Sequence, residues 1–175
     1  ADDSSSGGRL RALRTWWDGL TEQGDAYGYH LNASKSLLLV KERTYDEVVA
    51  LFAGTGVQIV RDSCRHLGAA LGTPEFVSSF VESKVTDWTR QVSRLSNFAR
   101  TQPQAAYSAF VHGLQGKWSF LSRTLEISSE EFGGLEAVIR ERLIPALTGR
   151  LSPSSVERLM LSFPCRDGGL GLSIP

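Results

Sequence analysis

Cysteine, methionine and net charge are all scarce in this 175-residue chain, and each shortage excludes something. Only Cys64 and Cys165 are present, far apart and with no Cys-X-X-Cys pair. That excludes a disulfide-stapled scaffold and a zinc ribbon, and predicts two buried thiols in a reducing, intracellular compartment. Lys plus Arg (19) balances Asp plus Glu (19), so neither a strongly basic nucleic-acid tail nor an acidic disordered one is present. The longest aliphatic run, residues 37–40, is far too short to cross a bilayer, and no signal-peptide pattern opens the sequence. Gly54 and Gly56 lack the third glycine of a dinucleotide fingerprint, and the 168–171 glycine cluster lacks a P-loop lysine. No Gly-X-Ser-X-Gly elbow occurs, and His30, His66 and His112 match no metal-ligand spacing. Met160 is the sole methionine, and the sequence opens at Ala1-Asp2-Asp3. Both features read as a piece of a longer open reading frame.

What is present is an ordinary globular composition, 41% hydrophobic and 22% charged. A chain this long buries roughly 70% of its unfolded surface, as one domain or as a small domain with an appendage. Leu10, Leu13, Trp17 and Leu20 keep a helical spacing that Gly24 ends. Leu37-Leu38-Leu39-Val40 predicts a buried strand. Thr44 with Glu47 predicts a capping box for a short helix through Phe52. Residues 57–60 and 65–71 read as two strands, forming a hairpin around residues 61–64. At Thr73-Pro74 the pattern turns helical, and Phe76, Phe80, Val81, Val85, Trp88, Val92, Leu95 and Phe98 hold the period for about seven turns. Three more helices follow, opened by Thr101/Gln104, by Ser128/Glu131 and by Ser152-Pro153. The aromatic pairs Trp88/Phe98 and Phe110/Trp118 read as core. The fold expected is α+β, with a small mixed sheet and helices over 1–72, a helical bundle over 73–162 and a turn-rich connecting segment over 163–175.

Adjacent carboxylates such as Asp2 and Asp3 can ligate Mg²⁺, although a pair followed by three serines is more often simply solvated. The order of features after them carries more. Ala1-Asp2-Asp3 is followed by an amphipathic helix, then Gly28…Leu31-Asn32…Ser34-Lys35-Ser36, an aliphatic strand, a short helix and His66-Leu67-Gly68. Downstream lie Pro103-Gln104-Ala105-Ala106-Tyr107, Trp118–Thr124 and Pro164…Gly168-Gly169-Leu170-Gly171. This sequence resembles the reverse transcriptases of eukaryotic retrotransposon-like elements, from the aromatic-X-Asp-Asp turn of the palm through the helical thumb. Ala1 takes the X position, so the aromatic residue would lie just upstream.

The resemblance implies an RNA-directed DNA polymerase that performs Mg²⁺-dependent nucleotidyl transfer on an RNA template and DNA primer, from deoxynucleoside triphosphates. Asp2 would be a metal ligand near the primer 3′ end, with Asp3 in a supporting position. Lys35 would assist the departing pyrophosphate, while a surface lysine flanked by serines is its other reading. His66, Leu67 and Gly68 would set backbone against the primer, where glycine permits close approach; a tight turn explains the same residues. The fingers and an earlier palm strand with another Asp would lie elsewhere in the polypeptide, so this portion alone is expected to be inactive.

Charge adds a separate clue. Between Lys84 and Arg123 the chain carries Lys84, Arg90, Arg94, Arg100, Lys117 and Arg123 against Asp87 alone, a net +5. Cations on two helices suit phosphate contacts that hold a duplex without reading its sequence, and Lys84, Arg90, Arg94 and Lys117 are the candidates. The rival reading is a non-catalytic nucleic-acid-binding or scaffold remnant of a retroelement.

Overall fold

The computed structural model describes residues 4–175, and it is a mixed α and β structure. It divides into two compact units: one runs to Arg65 and adds Leu71–Thr73, the other joins His66–Ala70 to Pro74–Pro175.

In the first unit, helix α1 (Leu10–Gln23) is followed by strand β1 (Leu37–Val40), helix α2 (Tyr45–Leu51) and strand β2 (Gln58–Arg61). β1 and β2 pair in parallel, with Leu37 opposite Gln58 and Val40 opposite Arg61. A parallel pair needs a crossover connection, which α2 supplies. Trp17 of α1, Val40 of β1, Val48 of α2 and Phe52 just after it form the core of this unit, ringed by Leu10, Leu13, Leu38 and Ile59. Polar groups tie the edges. Arg14 pairs with Asp18 at 2.8 Å, donates to the Leu51 carbonyl and lies 5.8 Å from the Phe52 ring centre.

The expected hairpin is therefore corrected. β2 does not turn back on the next strand; it joins β1, and the hairpin is formed later by β3 (Cys64–His66) and β4 (Ala69–Leu71). Its tip is Leu67-Gly68, with φ of 47° and 83°. Two consecutive positive-φ residues make the two-residue turn whose twist matches paired strands.

The second unit is helical. α3 (Pro74–Ala99) runs 26 residues and turns Phe80, Val81, Val85, Trp88, Val92 and Ala99 inward. α4 (Pro103–Ala109), a π-helical turn at Phe110–Leu114 and α5 (Gln115–Thr124) form one continuous helical path. Eight α-helical steps would leave Phe110 and Trp118 about 80° apart around the axis; absorbing one residue in the π turn brings them to about 20°. Both are buried, with rings 5.6 Å apart, and Trp118 also meets Trp88 at 6.1 Å. A second such path comprises α6 (Gly133–Val138), a π turn at Ile139–Leu143 and α7 (Ile144–Thr148). Pro145 has no N–H to give the preceding turn, and the widened turn accommodates that loss. α8 (Ser155–Ser162) closes the unit.

Residues 163–175 pack into this unit. Leu172 is fully buried, and Arg158 of α8 donates to the carbonyls of Leu172 (2.7 Å) and Ser173 (3.0 Å). Four local expectations are corrected. The Thr44 hydroxyl donates to the Lys41 carbonyl, and that of Thr101 to the Phe98 carbonyl, so neither forms a capping box. Phe98 is 48% exposed, because the inward stripe of α3 finishes on Ser96 and Ala99 instead. Cys64 is buried, which pushes its thiol up, whereas Cys165 is exposed in the turn after α8, with its Sγ 3.6 Å from the Tyr107 hydroxyl.

Candidate nucleic-acid interface

Lys84, Arg90 and Arg94 all lie on α3, and with Asp87 and Gln91 they occupy about one third of its circumference, beside the buried stripe. Arg90 and Arg94 are exposed and Lys84 is half-buried, its ammonium 5.3 Å from the Phe80 ring centre. Lys117 joins them from α5, donating to Gln91 Oε1 at 3.0 Å. Gln91 in turn donates to Asp87 at 2.5 Å, and Arg90 ion-pairs with the same carboxylate. The Arg90 hydrogen bond is the largest influence on the Asp87 carboxyl; burial, the second, opposes it, and the Gln91 bond and the charges of Arg90 and Lys117 add to it, so the carboxyl is held below its usual range. One acid thus gathers two cations and an amide on a single face. Gln91 is the member that charge counting misses, because it bears no charge. Its signal in the sequence is only its position, four residues after Asp87.

The hairpin tip joins this face through α5. His66, Leu67 and Gly68 are all exposed, and a Cβ added to Gly68 would stand 3.6 Å from the Phe120 ring. Phe120 is three residues after Lys117 on α5, so the two side chains share one side of that helix. Of the predicted residues, therefore, His66, Leu67, Gly68, Lys84, Arg90, Arg94 and Lys117 all belong to the second unit.

Lys35 belongs to the first. It sits in a short 3₁₀ turn built by Asn32, whose Oδ1 accepts from the Ser34 hydroxyl (2.7 Å) and the Lys35 backbone N–H (3.3 Å). Ser36 donates its hydroxyl to the Asn32 carbonyl at 2.9 Å, and Gln58 of β2 donates to the Ser34 carbonyl at 2.7 Å. These bonds explain the Asn-X-Ser-Lys-Ser pattern as a side-chain-built turn that delivers the chain into β1. The Lys35 side chain is exposed. Asp2 and Asp3, the proposed Mg²⁺ ligands, lie outside the described residues. Among the described residues no group of three His, Cys, Asp or Glu side chains could hold a metal ion, and no helix is long and apolar enough to cross a membrane.

Comparison with known proteins finds no matching family model, no matching curated protein and no matching solved structure.

Proposed function

We propose that this chain is the carboxy-terminal part of a reverse transcriptase palm followed by its thumb, and that its helical unit grips a template–primer duplex through phosphates. The observation that carries this reading is the single face on which Arg90, Lys117 and Gln91 are linked, continued along α5 to the exposed Leu67-Gly68 tip. A backbone turn read as palm and a set of cations read as thumb thus lie along one helix. The face is cationic and carries hydrogen-bond donors, which suits a backbone held through its phosphates. In the complete polypeptide the reaction would be nucleotidyl transfer, with Asp2 and Asp3 as the carboxylates for Mg²⁺. Lys35, displayed on its side-chain-built turn, would supply positive charge toward the triphosphate.

The test is primer extension by a polypeptide that also supplies the fingers and the remaining palm strands. Asp2→Asn preserves shape and removes a charged ligand, so extension should fall to background, and Asp3→Asn should be milder. The 175-residue chain alone should bind duplex and extend nothing. Near-normal extension by the Asp2→Asn protein would sink the catalytic assignment. Duplex binding without extension in the completed wild-type polypeptide would favour a non-catalytic binding module.

A further inference from the structure

A second feature of the helical unit is independent of the polymerase reading. A cavity of about 380 Å³ opens beside α5, within the usual range of about 300–1,000 Å³ for small-ligand sites. Ser119, Ser122 and Arg123, spaced as neighbours on one helix face, line one wall, and Ser129 contributes from the following segment. Trp118 and Phe132 supply apolar wall. Ile174 and Pro175 complete the wall, and no Asp or Glu side chain lines the cavity. The Arg123 guanidinium and the Ser129 hydroxyl have no partner among the described residues. Trp118 carries another loose end: its Nε1–H is the one buried side-chain donor without an acceptor among the described residues, in an otherwise close-packed aromatic cluster. Proteins leave few such groups unpaired.

We propose that this cavity binds a phosphate monoester carried on an apolar or aromatic body. A guanidinium is permanently charged and presents a planar fork of donors that matches an oxyanion. A carboxylate has only two oxygens, and a bidentate fork engages both. A phosphate monoester has three terminal oxygens, enough to take the Arg123 fork and still accept from the Ser129 hydroxyl, whereas Ser119 and Ser122 donate to the carbonyls of Gln115 (3.1 Å) and Trp118 (3.0 Å). The half-apolar wall then shelters the organic part. The same chemistry is offered by a free nucleoside monophosphate and by the 5′-phosphorylated end of a strand.

The test is titration of the ¹⁵N-labelled 175-residue chain with AMP, with adenosine, and with a short oligonucleotide bearing either a 5′-phosphate or a 5′-hydroxyl. The reporter is the Trp118 indole N–H resonance, assigned through Trp118→Phe. AMP should shift it saturably and adenosine should not. The two oligonucleotides separate a free nucleotide from a strand end as the source: preference for the 5′-phosphorylated strand over AMP assigns the strand end, and the reverse assigns the free nucleotide. Arg123→Gln should weaken AMP by about tenfold or more, the usual worth of a charge-assisted hydrogen bond. Ser129→Ala should weaken it several-fold, and because Ser129 lies outside α5 this variant still reports if the arginine variant misfolds. Equal binding of adenosine and AMP, undiminished AMP binding by both variants, or no saturable shift up to about 5 mM AMP would each overturn the proposal.

Discussion

Glu136 holds the Arg158 guanidinium by two parallel hydrogen bonds, 2.7 Å from Nε and 2.8 Å from Nη2, although the residues are 22 positions apart. Arg158 is 3% exposed, and it also donates to the carbonyls of Leu172 and Ser173. A single cation therefore ties α6, α8 and the tail together. Removing one partner of such a pair leaves a buried charge uncompensated, and that penalty exceeds the worth of the pair itself.

Glu136→Ala should accordingly destabilise the chain by about 3 kcal/mol. A conservative apolar replacement of both partners should cost much less. Urea unfolding of both variants checks the difference, and limited proteolysis reports the tail. Residues 170–175 should become the first cleavage region in Glu136→Ala, because Arg158 no longer holds their carbonyls. Equal losses in the single and double variants would mean that packing, not the charge, sets the stability here.

The capping box of α8 gives a pH dependence. Ser154 donates its backbone N–H to Glu157 Oε2 at 2.8 Å, and Glu157 N–H donates to the Ser154 hydroxyl at 3.3 Å. The backbone bond from Ser154, then its side-chain bond, lowers the Glu157 carboxyl below its usual range. A carboxyl lowered in the folded state stabilises fully above its unfolded value of about 4.3 and loses that contribution as pH falls through the lower folded value. The stability gap between wild type and Glu157→Gln should therefore stay constant from neutrality down to about pH 5 and close in more acid solution. Ser154→Ala should cost about 1 kcal/mol at neutral pH. Chemical unfolding across a pH series measures both. A gap that widens toward acid would reverse the sign of the linkage.

The contrast between this box and the three that fail explains how much of the fold was legible. Thr44/Glu47, Thr101/Gln104, Ser128/Glu131 and Ser154/Glu157 carry the same spacing, yet only the last closes; Ser128 accepts from the Glu130 N–H instead. At Thr101 the following Pro103 sets the first helical residue, so Gln102 becomes the N-cap and the threonine falls one place outside. Local signals thus gave the existence of helices such as α3, whose apolar stripe repeats for seven turns, better than their ends. Long-range pairing was not legible at all. Residues 57–60 have the same strand-like character whether they meet β1 or the next strand, and only the crossover through α2 decides for β1. Arg158 reads as a surface residue because its partner lies 22 positions away. The two π turns carry no periodic signature of their own, and they shift the register that the aromatic pattern would otherwise follow. At the candidate interface, the charge count pointed to α3 and α5, but the acid and amide that bring Arg90 and Lys117 together emerged only from the packing of α5 on α3.

Asp87 is the lever on that interface. It sits inside the cationic face and holds Arg90, so it competes with any phosphate for the guanidinium. Each phosphate neutralised on a B-form duplex contributes about 0.9 to the slope of log affinity against log salt. Not all of the cations between Lys84 and Arg123 can reach one groove, and a slope equivalent to about two to four contacts is expected for the wild-type chain. Replacing Arg90, Arg94 and Lys117 together by Gln should remove most of it, with helicity preserved because Gln is a good helix former. Asp87→Asn acts in the opposite direction. It takes away one negative charge and frees Arg90, so affinity should rise several-fold and the slope should steepen by about 0.9, one further phosphate. Fluorescence anisotropy of a labelled RNA–DNA duplex across a salt series measures all three proteins, and circular dichroism checks their folding. A lower affinity for Asp87→Asn would mean that the carboxylate organises Arg90 and Lys117 for binding and does not compete with the phosphates. Salt-independent binding in the wild type would mean that these cations are a solvated face and take no part in holding the duplex.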